Sequence, residues 1–70
     1  MRSRVRYYRQ EAGITQKKLA KIMGVTRQTI NSLENGKYNP SLILTYKITI
    51  TLGFKNIHDV FRFEKEDLED

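Results

Sequence analysis

The stretch that decides the fold of this chain is TQKKLAKIMGVTRQTINSLENG, residues 15–36. Within it, residues 16–23 and residues 26–34 place apolar side chains three or four positions apart, which is the spacing of an amphipathic helix. A short turn that contains Gly24 separates the two segments. Two helices joined by a short turn with glycine form a helix-turn-helix unit, and the sequence therefore predicts that unit here.

The residue types inside this stretch suit two helices that cross closely. Ala20 is small at the crossing point, and Gly24 can adopt the positive φ that a sharp turn requires. Apolar residues are predicted to bury the inner faces, while polar residues of the second helix are predicted to point outward. The predicted inner residues are Leu19, Met23, Val25, Ile30 and Leu33, and the predicted outer residues are Arg27, Gln28, Asn31 and Ser32.

Start and stop residues divide the whole chain into five predicted helices. Thr15 and Thr26 are suited to cap the helices that follow them, and glycines stand where several helices are expected to end. The predicted helices cover residues 2–11, 16–23, 26–34, 42–52 and 56–60, with approximate bounds. Residues 48–52 alternate like a strand, but the flanking start and stop signals favour a helix. Residues 61–63 alternate as well and predict a short strand or an extended arm.

The chain is too short for more than one domain, at 70 residues. Residues 1–63 are predicted to form it, and residues 64–70 are predicted to be a poorly ordered acidic tail. The absence of cysteine excludes disulfides and thiolate metal sites. No apolar run approaches the ~20 residues needed to cross a bilayer, and no apolar segment follows the basic start. We therefore expect a cytoplasmic protein without a membrane partner.

The positive charge is concentrated in the first half of the chain. Residues 1–38 contain nine Lys or Arg and two acidic residues, whereas residues 39–70 contain four and six, for a formal net charge of +5. One strongly basic half is typical of a protein that binds a polyanion such as nucleic acid. A solvated basic surface would carry the same charge, so charge alone leaves both interpretations open.

The sequence offers little for catalysis or for a cofactor. His58 is the only histidine, so a metal site or a histidine-based catalytic pair would lack partners. The clustered carboxylates lie in the acidic tail, where no fixed geometry is expected to separate their pKa values. No phosphate-binding or dinucleotide-binding glycine motif is present. We expect no enzyme activity, no metal, no cofactor and no small-molecule ligand.

Over roughly residues 4–63, the chain resembles the Cro/C1-type (XRE-like) helix-turn-helix family of bacterial and phage transcriptional regulators. Together the matching positions are a strong signal, although each short piece alone would be weak. The resemblance implies an all-α, compact bundle of five helices of the lambda-repressor-like type, which binds duplex DNA. The matching residues are Arg9, Gly13, Thr15, Gln16, Leu19, Ala20, Gly24, residues 26–30, residues 33–37, Asn39, Pro40, Ser41, Leu52 and Gly53.

The resemblance also implies roles for individual residues. Base readout falls to Arg27 and Gln28, with Asn31 and Ser32 further along the same helix. Arg9 and Glu34 correspond to a structural ion pair between two helices. The residues expected to contact phosphate are Gln16, Thr26, Thr29, Asn35, Lys37 and Tyr38.

Several positions depart from the family pattern and predict a homodimer. Ile43 and Ile50 lie two helical turns apart, on a face that relatives usually keep charged. A dimer would present two recognition helices to an inverted-repeat operator, as expected for a small repressor. The alternative is an antitoxin-like or adaptor module whose main ligand is another protein. The predicted interface comprises Ile43, Ile50, Phe54, Val60, Phe61 and Phe63.

Overall fold

Four α-helices and a two-stranded antiparallel sheet surround the core in the computed structural model, which describes residues 1–68. Single 3-10 turns form at Ile57–Asp59 and Lys65–Leu68. No helix in this described part has the length and hydropathy needed to span a bilayer. In chain order the elements are β1 (Arg2–Ser3), α1 (Val5–Glu11), α2 (Gln16–Met23), α3 (Arg27–Glu34), α4 (Leu42–Thr51) and β2 (Phe61–Arg62).

Hydroxyl side chains start three of the helices. The hydroxyl of Thr15 accepts a hydrogen bond from the backbone N–H of Lys18 at 3.0 Å, as predicted for a cap of α2. Thr26 and Ser41 begin α3 and α4 in the same way. Gly24 follows α2 with a φ of 74°, a left-handed backbone conformation that residues with a Cβ rarely adopt. The turn between α2 and α3 is therefore as tight as the sequence predicted.

The core lies between the helix-turn-helix unit and the remaining elements. Both ends of the chain contribute to it, because Val5 is fully buried and Phe61 is 1% exposed. Val60 is buried as well, at 2% exposure. The predicted interface role of Val60 and Phe61 is thus corrected: their side chains complete the chain's own core and are unavailable to a partner. The buried apolar residues are Val5, Leu19, Ala20, Met23, Ile30, Leu33, Leu44, Ile48, Val60 and Phe61.

Two elements differ from the sequence prediction. The first helix begins at Val5, because Arg2–Ser3 pairs with Phe61–Arg62 as a strand. The predicted fifth helix is only the 3-10 turn Ile57–Asp59. Both differences follow from strand pairing, since the chain must leave the helical conformation on each side of the sheet before its backbone can pair. The short strand that the sequence allowed near residues 61–63 is present over Phe61–Arg62.

Helix α4 includes the segment whose alternation resembles a strand. Its buried threonines bond to the preceding turn of the helix: Thr45 Oγ1 donates to the Ser41 carbonyl at 2.9 Å, and Thr49 Oγ1 donates to the Thr45 carbonyl at 2.8 Å. These bonds satisfy both hydroxyls inside the core, where an unpaired hydroxyl would be costly. The helix predicted from the flanking signals is therefore confirmed.

The acidic C-terminal segment packs back on the start of the chain as far as it is described. Lys65–Leu68 forms a 3-10 turn where the sequence predicted a poorly ordered tail. The Asp67 carboxylate accepts hydrogen bonds from the Glu64 backbone N–H at 2.6 Å and from the Met1 amino group at 2.5 Å. Residues 69–70 of the predicted tail lie outside the described residues.

A buried hydroxyl in β1 provides a test of this arrangement. Ser3 Oγ is buried and has no hydrogen-bond partner among residues 1–68. Because an unpaired buried polar group costs about 1–3 kcal/mol, Ser3→Ala is expected to raise the free energy of unfolding by about 1 kcal/mol. The matched control, Ser41→Ala, removes the cap of α4 and should lower it by about 1 kcal/mol. Urea unfolding of both variants checks the opposite signs, and a loss of stability in Ser3→Ala would contradict the packing described here.

Candidate nucleic-acid interface

Helix α3 separates its polar from its apolar side chains. Ile30 and Leu33 are fully buried against the rest of the molecule. Arg27, Gln28 and Asn31 are exposed on the opposite side, at and near the N-terminal end of the helix. Of the residues predicted to read bases, the structure thus turns Arg27, Gln28 and Asn31 toward solvent, whereas Ser32 is half-buried. A helix with this division can lie in the major groove with its polar face against the base edges.

Two shallow clefts border the exposed face of α3, and Gln28 lines both of them. The two clefts, of about 250 Å³ and 270 Å³, bring together almost all the residues predicted to contact bases or phosphate. Gln28 therefore lies between the two clefts. The first cleft is lined by Gln16, Arg27, Gln28 and Asn31; the second is lined by Thr26, Gln28, Thr29, Ser32, Lys37 and Tyr38.

The start of α3 retains a free hydroxyl hydrogen. Thr26 Oγ1 accepts from the Thr29 backbone N–H at 3.1 Å and lies 2.9 Å from Thr29 Oγ1. Only one hydroxyl hydrogen can lie between the two oxygens, so the other can be donated to an external acceptor such as a phosphate oxygen. The positive end of the helix dipole favours an anion at the same place.

The loop that follows α3 is held in place by hydrogen bonds. The Lys37 backbone N–H donates to the Ser32 carbonyl at 2.8 Å, and Asn35 Nδ2 donates to Asn31 Oδ1 at 3.2 Å. Gly36 has a φ of 73°, and a Cβ at this position would lie 3.3 Å from the Met1 carbonyl oxygen. These contacts leave the Lys37 side chain exposed on a fixed backbone.

A buried ion pair connects α3 to α1 and to the turn before α2. Arg9 Nε donates to Glu34 Oε2 at 2.7 Å, and Arg9 Nη2 donates to Glu34 Oε1 at 3.2 Å. The Glu34 side chain has no exposed surface, and that of Arg9 is 9% exposed. Arg9 Nη1 also donates to the Ile14 carbonyl at 2.8 Å, at the start of the connection to α2. Arg9 and Glu34, which the family resemblance pairs, thus form a two-point contact between α1 and α3.

Gln16 extends this ion pair to the exposed N-terminal end of α3. Its Nε2 donates to Glu34 Oε1 at 3.1 Å, and its Oε1 accepts from Arg27 Nε at 3.4 Å. The second hydrogen on Nε2 remains available for a phosphate oxygen. One amide group therefore positions Arg27 and can also bind the DNA backbone.

Sequence reasoning did not identify Arg6 as part of this cluster. Arg6 Nε lies 3.5 Å from Glu34 Oε1, although the Arg6 side chain is 55% exposed. The signal was present, because residues three apart on a helix share a face and Arg6 precedes Arg9 by three. Arg6 adds positive charge beside the buried carboxylate without being buried itself.

The pKa of Glu34 is set by two opposing effects. Burial of the side chain raises the pKa, whereas the hydrogen bonds from Arg9 and Gln16 and the positive charge of Arg9 lower it. The lowering effects prevail, and the pKa of Glu34 lies below its ordinary value. The carboxylate therefore stays ionised inside the fold at neutral pH.

An exposed polar helix held against a second helix by a tight glycine turn defines a helix-turn-helix domain. The chain belongs to the Cro/C1-type helix-turn-helix family, because the family model described as Helix-turn-helix matches residues 5–58. A similar protein from Archaeoglobus fulgidus, described as an uncharacterized HTH-type transcriptional regulator, is 52% identical over 68 residues, which are 97% of this chain and 96% of the relative. The family consists of DNA-binding transcriptional regulators, which confirms that the chain is not an enzyme.

Solved structures show the same fold. The clp gene regulator ClgR from Corynebacterium glutamicum matches with a TM-score of 0.72 and 27% identity, over 79% of this chain. This chain spans 57% of that ClgR chain. SinR, a master regulator for biofilm formation, was solved in complex with DNA and matches with a TM-score of 0.69 and 30% identity, over 79% of this chain and 87% of the SinR chain. The all-α fold predicted from the sequence is confirmed, with a fifth element shorter than a helix.

The charge of Glu34 should be measurable in the stability of the protein. We expect Glu34→Gln to lower the free energy of unfolding by about 3 kcal/mol at pH 7, because it leaves the buried Arg9 charge without its partner. The folded pKa is lowered, so the unfolded chain takes up the proton more readily. The contribution of Glu34 is therefore complete above about pH 4.5 and is lost as the pH falls through the folded pKa.

Urea unfolding of the parent and the variant between pH 3 and 7 checks this prediction. The two stabilities should converge as the pH falls below about 4.5. Glu11→Gln is the matched control, because Glu11 is exposed on α1 and makes no ion pair within the described residues. A constant difference between parent and Glu34→Gln across this pH range would show that the carboxylate charge does not hold the helices together.

Proposed function

We propose that the chain is a sequence-specific regulator that binds an inverted-repeat operator as a homodimer and represses transcription. The observation that carries the proposal is the exposed N-terminal end of α3, where Arg27 is held by Gln16 and Gln28 lines the two clefts on either side. The DNA complex of SinR, a protein of the same fold, supports duplex DNA as the ligand. A domain bound in this way represses simply by occupying the site.

Base readout is assigned to the two side chains at the start of α3. An arginine forms paired hydrogen bonds with guanine O6 and N7, and a glutamine forms them with adenine N6 and N7. Arg27 is held by Gln16, whereas Gln28 makes no side-chain hydrogen bond in the described structure and can adjust to its base. Ser32 and Asn31 lie further along the helix and have secondary roles, since the Asn31 oxygen already accepts from Asn35.

Phosphate contacts are assigned to the two sides of Gln28. On one side is the free N–H of Gln16. On the other side, one cleft brings together the free hydroxyl hydrogen of the Thr26 and Thr29 pair and the exposed loop residues Lys37 and Tyr38, and Asn35 lies in the same loop. Contacts on both sides fix the register of α3 along the groove, while the bases between them supply the sequence preference.

The exposed face of α4 supports a homodimer. It carries Leu42, Ile43, Tyr46 and Ile50, with exposures of 69%, 66%, 54% and 47%. Apolar side chains grouped in this way on a small protein are typical of an interface. Phe63 is also exposed, whereas Phe54 packs its ring on Tyr8 and contributes less surface. A twofold pair of such domains presents recognition helices about 34 Å apart, one helical turn of DNA.

An adaptor or antitoxin-like module would use the same apolar α4 face for a different protein. The same face thus favours two candidate functions, and the two make different predictions for the isolated chain. A regulator that dimerises through α4 self-associates in dilute solution, whereas an adaptor without its partner stays monomeric. The oligomeric state therefore separates them.

Two substitutions distinguish base readout from phosphate contact. Lys37→Ala should weaken binding to every duplex and reduce the slope of log affinity against log salt by about one, because one phosphate contact is lost. Gln28→Ala should leave that slope unchanged and cost about 1–3 kcal/mol only on duplexes with the preferred base pair.

The operator is first selected from a random duplex pool, and its symmetry is read from the bound sequences. Binding of parent and variants is then measured on the operator and on duplexes changed at single positions. Equal losses on all duplexes for both variants would contradict the division between base readout and phosphate contact.

The dimer interface is tested by two isoleucines of equal exposure. Ile50→Lys should weaken self-association by at least about tenfold, because burying one isoleucine is worth about 1.5–3 kcal/mol and the lysine charge would also be buried. Ile22→Lys is the matched control, since Ile22 is 48% exposed but belongs to α2 and not to the proposed α4 interface. Sedimentation equilibrium over a range of concentrations gives both constants. A parent chain that stays monomeric throughout, or equal effects of the two substitutions, would exclude the α4 dimer.

A further inference from the structure

A third cleft lies beside the two-stranded sheet. Its volume is about 460 Å³, which is within the range of small-molecule sites. It shares no lining residue with either cleft beside Gln28. The DNA-binding proposal makes no use of it. Its charged and aromatic lining residues include Arg2, Arg4, Tyr8, Phe54, His58 and Arg62.

The sheet brings arginine side chains together in this cleft. In the antiparallel pair, Arg2 lies directly opposite Arg62, and Ser3 lies opposite the buried Phe61. Directly opposed residues project to the same side of a sheet, so the two guanidinium groups share its outer face. Like charges in such a pair destabilise it. Neither Arg2 nor Arg62 is ion-paired with a carboxylate anywhere in residues 1–68, and the same holds for Arg4.

Two aromatic rings in contact with each other line the cleft beside these charges. The ring centroids of Tyr8 and Phe54 are 4.4 Å apart, with 47° between the ring planes, and both residues are half-buried. Asp59 also lines the cleft, but the three arginines outnumber its one carboxylate, and the cleft is therefore net positive. Guanidinium groups bind phosphate or carboxylate through paired hydrogen bonds, and aromatic rings stack on other planar rings. The cleft therefore combines recognition of an anion with recognition of a ring.

We propose that this cleft binds a small planar anion, that is, an aromatic ring that carries a phosphate or a carboxylate group. A nucleotide has the size and the chemical groups that fit the cleft. The acidic group meets Arg2, Arg4 and Arg62, and the ring lies against Tyr8 and Phe54. The bound anion removes the repulsion between the opposed arginines, so it also stabilises the pairing of the two ends of the chain.

The acidic turn argues against DNA as the occupant of this cleft. Glu64, Glu66 and Asp67 line a cavity of about 570 Å³ together with Arg2 and with Asn35 and Gly36 of the loop proposed to contact phosphate. The Asp67 carboxylate is paired with the Met1 amino group, but Glu64 and Glu66 form no ion pair in the described residues and leave negative charge between the recognition face and the arginine cleft. A DNA backbone that continued from one to the other would meet this negative charge, whereas a small anion enters the cleft without passing it.

The test uses the full chain and four probes: adenosine monophosphate, phenyl phosphate, benzoate and inorganic phosphate. Binding is followed by NMR through the backbone amide of Arg62 and the ring protons of Tyr8 and Phe54. We expect the aromatic anions to shift these signals and to bind at least about tenfold more tightly than inorganic phosphate, which lacks the ring. Comparison of phenyl phosphate with benzoate shows which acidic group the arginines prefer.

Variants identify the groups responsible. Arg62→Ala should weaken the binding of every aromatic anion about tenfold, because one charge-assisted contact is lost. Lys21→Ala removes an exposed positive charge on α2 and is the matched control, expected to leave anion binding unchanged. Phe54→Leu keeps an apolar side chain in place and should weaken the aromatic anions without affecting inorganic phosphate.

Three results would overturn the proposal: no shift with any probe, equal binding of aromatic anions and inorganic phosphate, or equal affinities of the parent and Arg62→Ala. A loss of operator affinity in Arg62→Ala would assign the arginines to DNA instead and would also overturn it. Because Arg62 lines neither cleft of the recognition face, the outcome is independent of the test on Gln28 and Lys37.

Discussion

The buried pair of Arg9 and Glu34 is the interaction on which the rest of the structure depends. Both side chains leave water, and the desolvation they suffer offsets much of their attraction, so the pair adds less to stability than to orientation. Its two hydrogen bonds restrict the angle and the distance between α1 and α3. An eight-residue helix has little stability of its own, and α3 therefore takes its direction from such contacts.

The same carboxylate connects the interior to the surface that we propose binds DNA. Glu34 holds Gln16, and Gln16 in turn holds Arg27 at the exposed end of α3. A long arginine on the surface would otherwise lose considerable rotational freedom when it binds a base. Placing it beforehand reduces that loss, because the conformational entropy is already spent in folding. The buried polar network and the exposed Arg27 thus form one continuous set of hydrogen bonds.

Three outer surfaces of different chemistry surround one small core. The face of α3 is polar, the face of α4 is apolar and the face of the two-stranded sheet is cationic. A chain of 70 residues has a large surface for its volume, so most of its side chains face outward and each element can present its own chemistry. The core is completed only when Phe61 and Val60 return to cover α1 and α4, which places both ends of the chain in one sheet.

The sequence alone determined the helix-turn-helix unit and the residues at its exposed end, because caps, glycine turns and helical spacing all act within a few residues of one another. It also predicted α4 as a helix, because the start and stop signals that flank the segment outweighed its strand-like alternation. Only the tertiary structure decided that Arg2–Ser3 is a strand, that Val60 and Phe61 belong to the core, and that Arg6 joins the buried carboxylate. Each of these depends on contacts between residues that are distant along the chain, and no local pattern records which distant segment will supply the partner.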